Sequence, residues 1–325
     1  MRLLTARAFW MTSPGSGELR TERVPDPGPG EVLVRTLHSG VSRGTETLVF
    51  QGRVPESQWP SMRAPFQSGD FPAPVKYGYL NVGVVEAGVP ELVGKTVFCL
   101  FPHQTRYVVP ATAVTVVPDG VPPVRAVLTG TVETAVNAVW DAAPQIGDRI
   151  TVVGGGMVGL SVVAVLAGLP GTDVELVDID KSREHEAGKL NAGFARPEAA
   201  QRERDLVIHA SATEQGLTTS LELLATEGTV VELSWYGDRR VAVPLGEFFH
   251  SRRLTIRGSQ VGGIAPARRR SYAQRLALAL DLLKDPRFDA LISGRSPFDE
   301  LPEVMPRIAD GSLPALCHVI DHPAN

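Results

Sequence analysis

Gly154-Gly-Gly156-Met-Val-Gly159 follows the apolar run Ile150-Thr-Val-Val153 and opens a stretch with helical spacing. Few backbones accept that order of strand, glycine turn and helix. Gly154 permits a tight turn, Gly156 lets a ligand approach the backbone, and Gly159 allows the helix to pack closely on the strand. Amides at the helix start, around Met157 and Val158, then face outward as donors for phosphate oxygens. Asp178 follows Gly159 by 19 residues and ends the next apolar run, where a carboxylate accepts hydrogen bonds from an adenosine ribose. Ile179 stands beside it. A bare G-x-G-x-x-G also occurs as a plain turn in unrelated α/β folds, but the strand–turn–helix context points to a dinucleotide site. A carboxylate at 178 repels a 2′-phosphate, so NAD is expected over NADP. Lys181 and Arg183 pull against that preference.

At about 150 residues per domain, 325 residues suggest two domains. The first 118 residues are β-rich. Short runs (Glu31 to Leu37, Val82 to Glu86, Thr96 to Leu100, Tyr107 to Val109) alternate with turn clusters such as Pro25-Asp-Pro-Gly-Pro-Gly30. Helical spacing over Ala126 to Trp140 marks a change of texture. Helices are then expected at Met157 to Leu169, Lys181 to Leu190 and Leu217 to Ala225. They alternate with strands at Val174 to Val177, Asp205 to His209, Gly228 to Leu233 and Leu254 to Arg257. Such alternation predicts a doubly wound parallel sheet covered on both faces. A further helix is expected over Ala265 to Leu283, with Arg268-Arg-Arg270 as its solvated start. A last strand, Ala315 to Ile320, is too short to fold alone and is expected to return to the first domain.

Composition narrows the partners. A formal charge of −4 gives no electrostatic ground for a nucleic-acid partner. Of the 32 basic residues 27 are arginine, a skew that reads as genomic composition and not as a phosphate-binding face. Two cysteines, Cys99 and Cys317, build neither a disulfide framework nor a four-thiolate zinc site, and both are expected to be buried strand residues. No uncharged apolar run reaches the roughly 18 residues of a membrane span, and the opening MRLLTARAFW is too short and polar for a secretory leader. A cytoplasmic protein with a small-molecule substrate is expected.

Several segments resemble the medium-chain dehydrogenase/reductase family across essentially the whole chain. Pro27-Gly-Pro-Gly30-Glu31-Val-Leu-Val-Arg35 is similar to the family's "PGPGEVLV" turn and strand. Ser39-Gly-Val-Ser-Arg-Gly-Thr-Glu46 stands where zinc-containing members carry "CGVCGTD", and Gly78-Tyr-Leu-Asn-Val-Gly83 where they carry "GHExxG". Ser42-x-Gly44-Thr45-Glu46 with Lys76-Tyr77-Gly78-Tyr79 most resembles the branch containing bacteriochlorophyllide a dehydrogenase. The resemblance implies an α/β protein with a GroES-like β-barrel catalytic domain (1–125 and 262–325) and a Rossmann domain (126–261). It also implies a homodimer, for which Leu254 to Arg257 offers an edge strand.

The departures bear on chemistry. By the same match, Ser42 and Tyr79 replace two catalytic zinc ligands, Leu80 replaces the nearby glutamate, and the lobe with four structural-zinc cysteines is missing. Hydroxyls are poor zinc ligands beside thiolate and imidazole, so no zinc is expected in either place. The proton that zinc chemistry manages then falls to Tyr79. Lys76 is expected to lower the phenol's pKa, His103 to relay a proton to solvent, and Ser42 and Thr45 to hold the substrate. The alternative is that Tyr79 only fills space. Arg43, Thr134 and His209 are further cofactor candidates by resemblance. Three readings stay open: a zinc-independent NAD-dependent alcohol–carbonyl oxidoreductase, an enone or quinone reductase of the same fold, and a dinucleotide-binding scaffold without turnover.

Overall fold

The computed structural model describes residues 4–264 and 270–324. They divide into two compact units, one up to Gly130 and from Ile292 onward, the other Thr131–Leu291.

In the first unit the twelve-residue strand Glu31–Ser42 is nearly all buried, so both its faces must be covered. It pairs antiparallel with Asn81–Gly88, with Arg106–Pro110 and with the returning strand Cys317–Asp321. Ile292–Pro297 extends that sheet on one side, and Thr96–Cys99 with Val114–Val116 on the other. A second sheet holds Ser16–Arg23, Thr5–Ser13, Val75–Lys76 and Ser68–Gly69. The Phe9 amide donates to the His103 carbonyl and the Thr105 amide to the Arg7 carbonyl, which joins the two sheets. Val32, Val34, Val85, Val97, Phe101 and Tyr107 form a core cluster of the first of these sheets. The last strand therefore returns to the first unit, as its length predicts.

The second unit is a six-stranded parallel sheet in the order Gly193–Ala195, Asp173–Val177, Arg149–Val153, Arg204–His209, Leu224–Glu232, Thr255–Gly258. The chain runs outward from Arg149–Val153 in one direction and then crosses back to run outward in the other. Val152, Leu176, Val207 and Val230 are fully buried, as strands covered on both faces require. Ligands of such sheets bind at the carboxyl ends of the strands, where the winding reverses. Both cysteines are buried and unpaired.

Several boundaries move. The helix expected over Ala126 to Trp140 is two, Pro123–Ala126 and Thr129–Ala142, because the Thr129 hydroxyl donates to the Ala126 carbonyl and closes the first. The helix after the glycine turn stops at Leu166, where the Thr172 hydroxyl and the Leu169 amide donate to the Leu166 carbonyl. The late helix starts at Tyr272 because Ser271 and Gln274 form a capping box. Residues 265–269 of the expected helix, with Arg268 and Arg269 of the arginine run, lie outside the described residues, and Arg270 is exposed.

The division between units also differs from 125/126 and 261/262. Residues through Leu291 stay with the second unit, because Arg275 ties the late helix to Thr129–Ala142. Arg275 is fully buried. It donates to Glu133 Oε1 at 2.9 Å, to Asn137 Oδ1 and to the Val261 carbonyl. Removing a buried cation leaves its carboxylate partner uncompensated, at a cost of about 3–5 kcal/mol. Arg275→Ala is therefore expected to lower the melting temperature by roughly 10 °C, read by differential scanning calorimetry. A shift under 2 °C would contradict the assigned role.

Candidate functional site

In the second unit the glycines have the separate roles their spacing predicts. Gly154 takes φ +109, and a Cβ there would sit 2.6 Å from the Ser211 amide nitrogen. A Cβ on Gly159 would lie 1.9 Å from the Gly154 carbonyl oxygen, so no other residue fits. A Cβ on Gly156 would meet nothing within 4 Å, which leaves open space over the turn. The Gly156 carbonyl accepts the Leu160 amide and starts the helix Met157–Leu166, whose first amides remain for a ligand. Met157 and Gly159 are buried and Val158 is half-buried.

Asp178 directly follows the strand Asp173–Val177. Its carboxylate accepts the Gly155 amide at 2.5 Å and the Asp180 amide at 2.7 Å, which locks the acid beside the turn. The Arg183 side chain also borders Gly155 and forms an ion pair with Asp180 at 3.4 Å. Lys181 and Ile179 are exposed. His209 ends the strand Arg204–His209 and is fully buried. Its Nδ1 lies 2.7 Å from Glu232 Oε2 and its Nε2 2.7 Å from Ser211 Oγ. The Tyr236 hydroxyl donates to the same Glu232 oxygen at 3.1 Å. Thr134 sits half-buried on the helix Thr129–Ala142.

In the first unit, Ser42 ends the long strand and the helix Arg43–Phe50 starts next to it. Glu46, one turn in, is fully buried, and its Oε1 accepts the Ser42 amide at 2.8 Å, satisfying one of the orphan donors of a helix start. Its Oε2 lies 2.9 Å from His103 Nε2. His103 Nδ1 is 2.7 Å from Ser39 Oγ, which is in turn 2.8 Å from His322 Nε2. Asn81 fixes the His103 loop by donating to the Pro102 carbonyl while accepting from the Thr36 and Tyr107 hydroxyls. Gly78 makes room for the ring. It has φ +128, and a Cβ there would stand 3.0 Å from His103 Cδ2.

Tyr79 joins this cluster through hydrogen bonds with the Ser42 and Thr45 hydroxyls, and its ring meets Tyr77 edge-on. Burial, with Glu46 adding to it, pushes the phenol up to about 12. The expected effect of Lys76 is thus corrected. The Lys76 ammonium donates to Glu22 at 2.6 Å and to Gln104 at 2.7 Å, and it lies over the Trp10 ring. It is spent on that side, and the net shift at Tyr79 is upward. At 1% exposure His103 does not itself reach solvent, and both its nitrogens are engaged, so a proton leaves it only through Ser39 or Glu46. Arg43 is exposed beside Gly311.

Five participants were not singled out from the sequence. Glu46 was visible only as one residue of a motif, although its place four residues after Ser42 puts it over the helix start. Ser39, His322, Ser211 and Glu232 carry no local signal. His322 arrives from the far end of the chain, and Glu232 through its parallel register with His209.

The donor set at the former ligand positions does not suit a zinc ion. Ser42 and Tyr79 offer hydroxyls already bonded to each other, and the nearest imidazole has no free nitrogen. Among the described residues no three His, Cys, Asp or Glu side chains are grouped to hold a metal ion. Nor is any helix of the described residues long and apolar enough to cross a membrane.

No family model matches the chain. L-galactonate-5-dehydrogenase of Escherichia coli (strain K12) is 25% identical over 273 residues, spanning 74% of this chain and 79% of that protein. 2-Desacetyl-2-hydroxyethyl bacteriochlorophyllide A dehydrogenase of Cereibacter sphaeroides is 36% identical over 84 residues, 26% of this chain and 23% of its own length. The structure of acetophenone reductase from Geotrichum candidum in complex with NAD superposes with a TM-score of 0.78 at 20% identity, covering 98% of this chain and 97% of that one. The chain thus resembles medium-chain dehydrogenases in sequence and shares their fold. Its two units are a GroES-like barrel and a Rossmann domain.

Three barrel histidines, His38, His318 and His322, are held below their ordinary 6.5, by burial first in each case. As pH falls below about 6.5 the unfolded chain takes up protons that these rings refuse, so stability drops with pH; above that value they contribute nothing. Melting temperature should fall between pH 7.5 and 5, and His322→Gln should flatten the slope. An unchanged slope would show that His322 titrates normally.

Proposed function

We propose that this protein is a zinc-independent, NAD-linked oxidoreductase that interconverts an alcohol and a carbonyl compound. The observation that carries the reading is the Tyr79 phenol, set at a position where zinc-containing relatives place a ligand and bonded there to Ser42 and Thr45. A nicotinamide nucleotide bound at the glycine turn supplies or accepts the hydride. Gly154, Gly156, Met157, Val158 and Gly159 hold its pyrophosphate, and Asp178 with Ile179 its adenosine end. His209, fixed by Glu232, presents Ser211 next to Gly154, and Thr134 and Arg43 are the remaining candidates for contact.

On the substrate side, reduction of a carbonyl leaves an alkoxide that needs a proton. A phenol raised to about 12 stays neutral at pH 7, so it donates a hydrogen bond to the carbonyl oxygen and then its proton to the alkoxide. Ser42 and Thr45 stabilise the resulting tyrosinate by donating to it. The outer strand Thr255–Gly258 is the surface we assign to a two-fold dimer.

Two measurements test this reading. NADH is expected to bind more tightly than NADPH by fluorescence titration. Asp178→Asn, which keeps the acceptor for Gly155 but removes the charge, should weaken NADH by about 1–3 kcal/mol. Tighter binding of NADPH by the unmutated protein would overturn the cofactor assignment.

Separately, NADH oxidation is screened against small ketones and enones, and turnover of ketones but not enones is expected. Tyr79→Phe should cut kcat by roughly 10²–10⁴-fold with the NADH dissociation constant unchanged. Ketone turnover within a few-fold of wild type in that variant, or one zinc per chain by elemental analysis, would replace this mechanism.

A further inference from the structure

We propose that His322, Ser39, His103 and Glu46 form a proton wire through the barrel, with entry at His322 and delivery at Glu46 beneath the Tyr79 cluster. The proposal deepens the reading of Tyr79 as the acid and rests on it for the destination only. Four consecutive groups stand at hydrogen-bond distance: His322 Nε2 to Ser39 Oγ 2.8 Å, Ser39 Oγ to His103 Nδ1 2.7 Å, and His103 Nε2 to Glu46 Oε2 2.9 Å. A serine hydroxyl has a single proton to donate, so with an ionised Glu46 and a neutral His103 the order is set. The Glu46 carboxylate accepts from His103 Nε2–H. His103 Nδ1 then accepts from Ser39, and Ser39 accepts from His322 Nε2–H.

That polarity leaves His322 Nδ1 as a bare acceptor, and this atom is buried without any hydrogen-bond partner. Such an orphan costs free energy and calls for an explanation. A proton reaching His322 Nδ1, which takes a local opening because the atom is buried, releases the Nε2 proton to Ser39. Ser39 passes its own to His103 Nδ1, and His103 Nε2–H goes to Glu46. One proton enters, one arrives, and every hydrogen bond in the chain reverses without net charge left behind. Arrival removes the Glu46 charge that opposes tyrosinate, so Tyr79 gives up its proton more readily.

The surroundings suit transient passage. His322 stacks on Phe298 at 4.5 Å, and the Arg7 guanidinium lies over the Phe298 ring at 5.6 Å. His38, Asp321 and Arg295 form a separate ion cluster beside it, with His38 Nδ1 on Asp321 at 2.8 Å. His103, His38 and Arg7 all disfavour a lasting charge on His322. A proton that cannot rest there must move on or leave. Burial, with the Glu46 charge adding to it, pushes the Cys317 thiol up to about 12, so it stays neutral.

The test uses the full chain labelled with ¹⁵N-histidine. Long-range ¹H–¹⁵N spectra should show both His103 and His322 as Nε2–H tautomers at pH 7.5. The His103 Hε2 proton should exchange with D₂O through the chain. Ser39→Ala, which removes the link, should slow that exchange at least tenfold. His322→Gln, which keeps a donor to Ser39 but cannot pass a proton, should do the same with the melting temperature near wild type. A His103 ring protonated on Nδ1, or exchange within twofold of wild type in both variants, overturns the wire. With a ketone that wild type reduces, His322→Gln should lower kcat about tenfold and raise the solvent deuterium isotope effect, leaving KM for NADH within twofold. An unchanged kcat and isotope effect would overturn the delivery role. If Tyr79→Phe stays active the acid has been misassigned, while the exchange rates still decide the wire.

Discussion

A carboxylate with no solvent exposure is the constraint around which the barrel's site is arranged. Burying Glu46 is costly unless both oxygens are satisfied. One takes the Ser42 amide at the helix start, and the other takes His103. The imidazole, buried in turn, needs a partner for its second nitrogen, and Ser39 supplies it. Each requirement hands the problem to the next residue until His322 is reached. Asn81 and Gly78 belong to the same solution, since the His103 loop must be tied down and the ring given room.

The Rossmann unit solves a different problem, the approach of a polyanion to backbone. It does so with local means: a turn, a helix start and an acid locked beside them. This is why it was legible. Gly154, Gly159 and Asp178 act within one β–α–β unit, so spacing along the chain equals spacing in space. The parallel sheet was legible for the same reason, because each strand buried on both faces reads as an apolar run. Helix ends were not. Leu166 and Ala126 end helices through single Thr hydroxyl bonds, and no periodicity reports those.

The barrel site was half legible. Tyr79, Ser42, Thr45 and His103 surfaced through a resemblance, whereas Ser39, Glu46 and His322 did not emerge as site residues. His322 joins across a sheet that pairs the last strand with the third, a non-local contact that only register reveals. Lys76 shows the opposite failure. Three residues from Tyr79 in the chain, it was read as the phenol's cation, yet the strand directs its ammonium to Glu22 and Gln104. Nearness along an extended segment does not set side-chain direction, which alternates residue by residue.

Charge balance connects these observations to the absence of a suitable zinc donor set. Anionic ligands around a metal are tolerable because the ion's charge offsets them. Without that charge, a thiolate at position 42 would be an unpaired anion in a desolvated place. Neutral hydroxyls there avoid the cost, and the one carboxylate that remains has its own imidazole. Neutral hydroxyls at Ser42 and Tyr79 and a carboxylate paired with His103 therefore answer one electrostatic requirement, that no charge be buried alone.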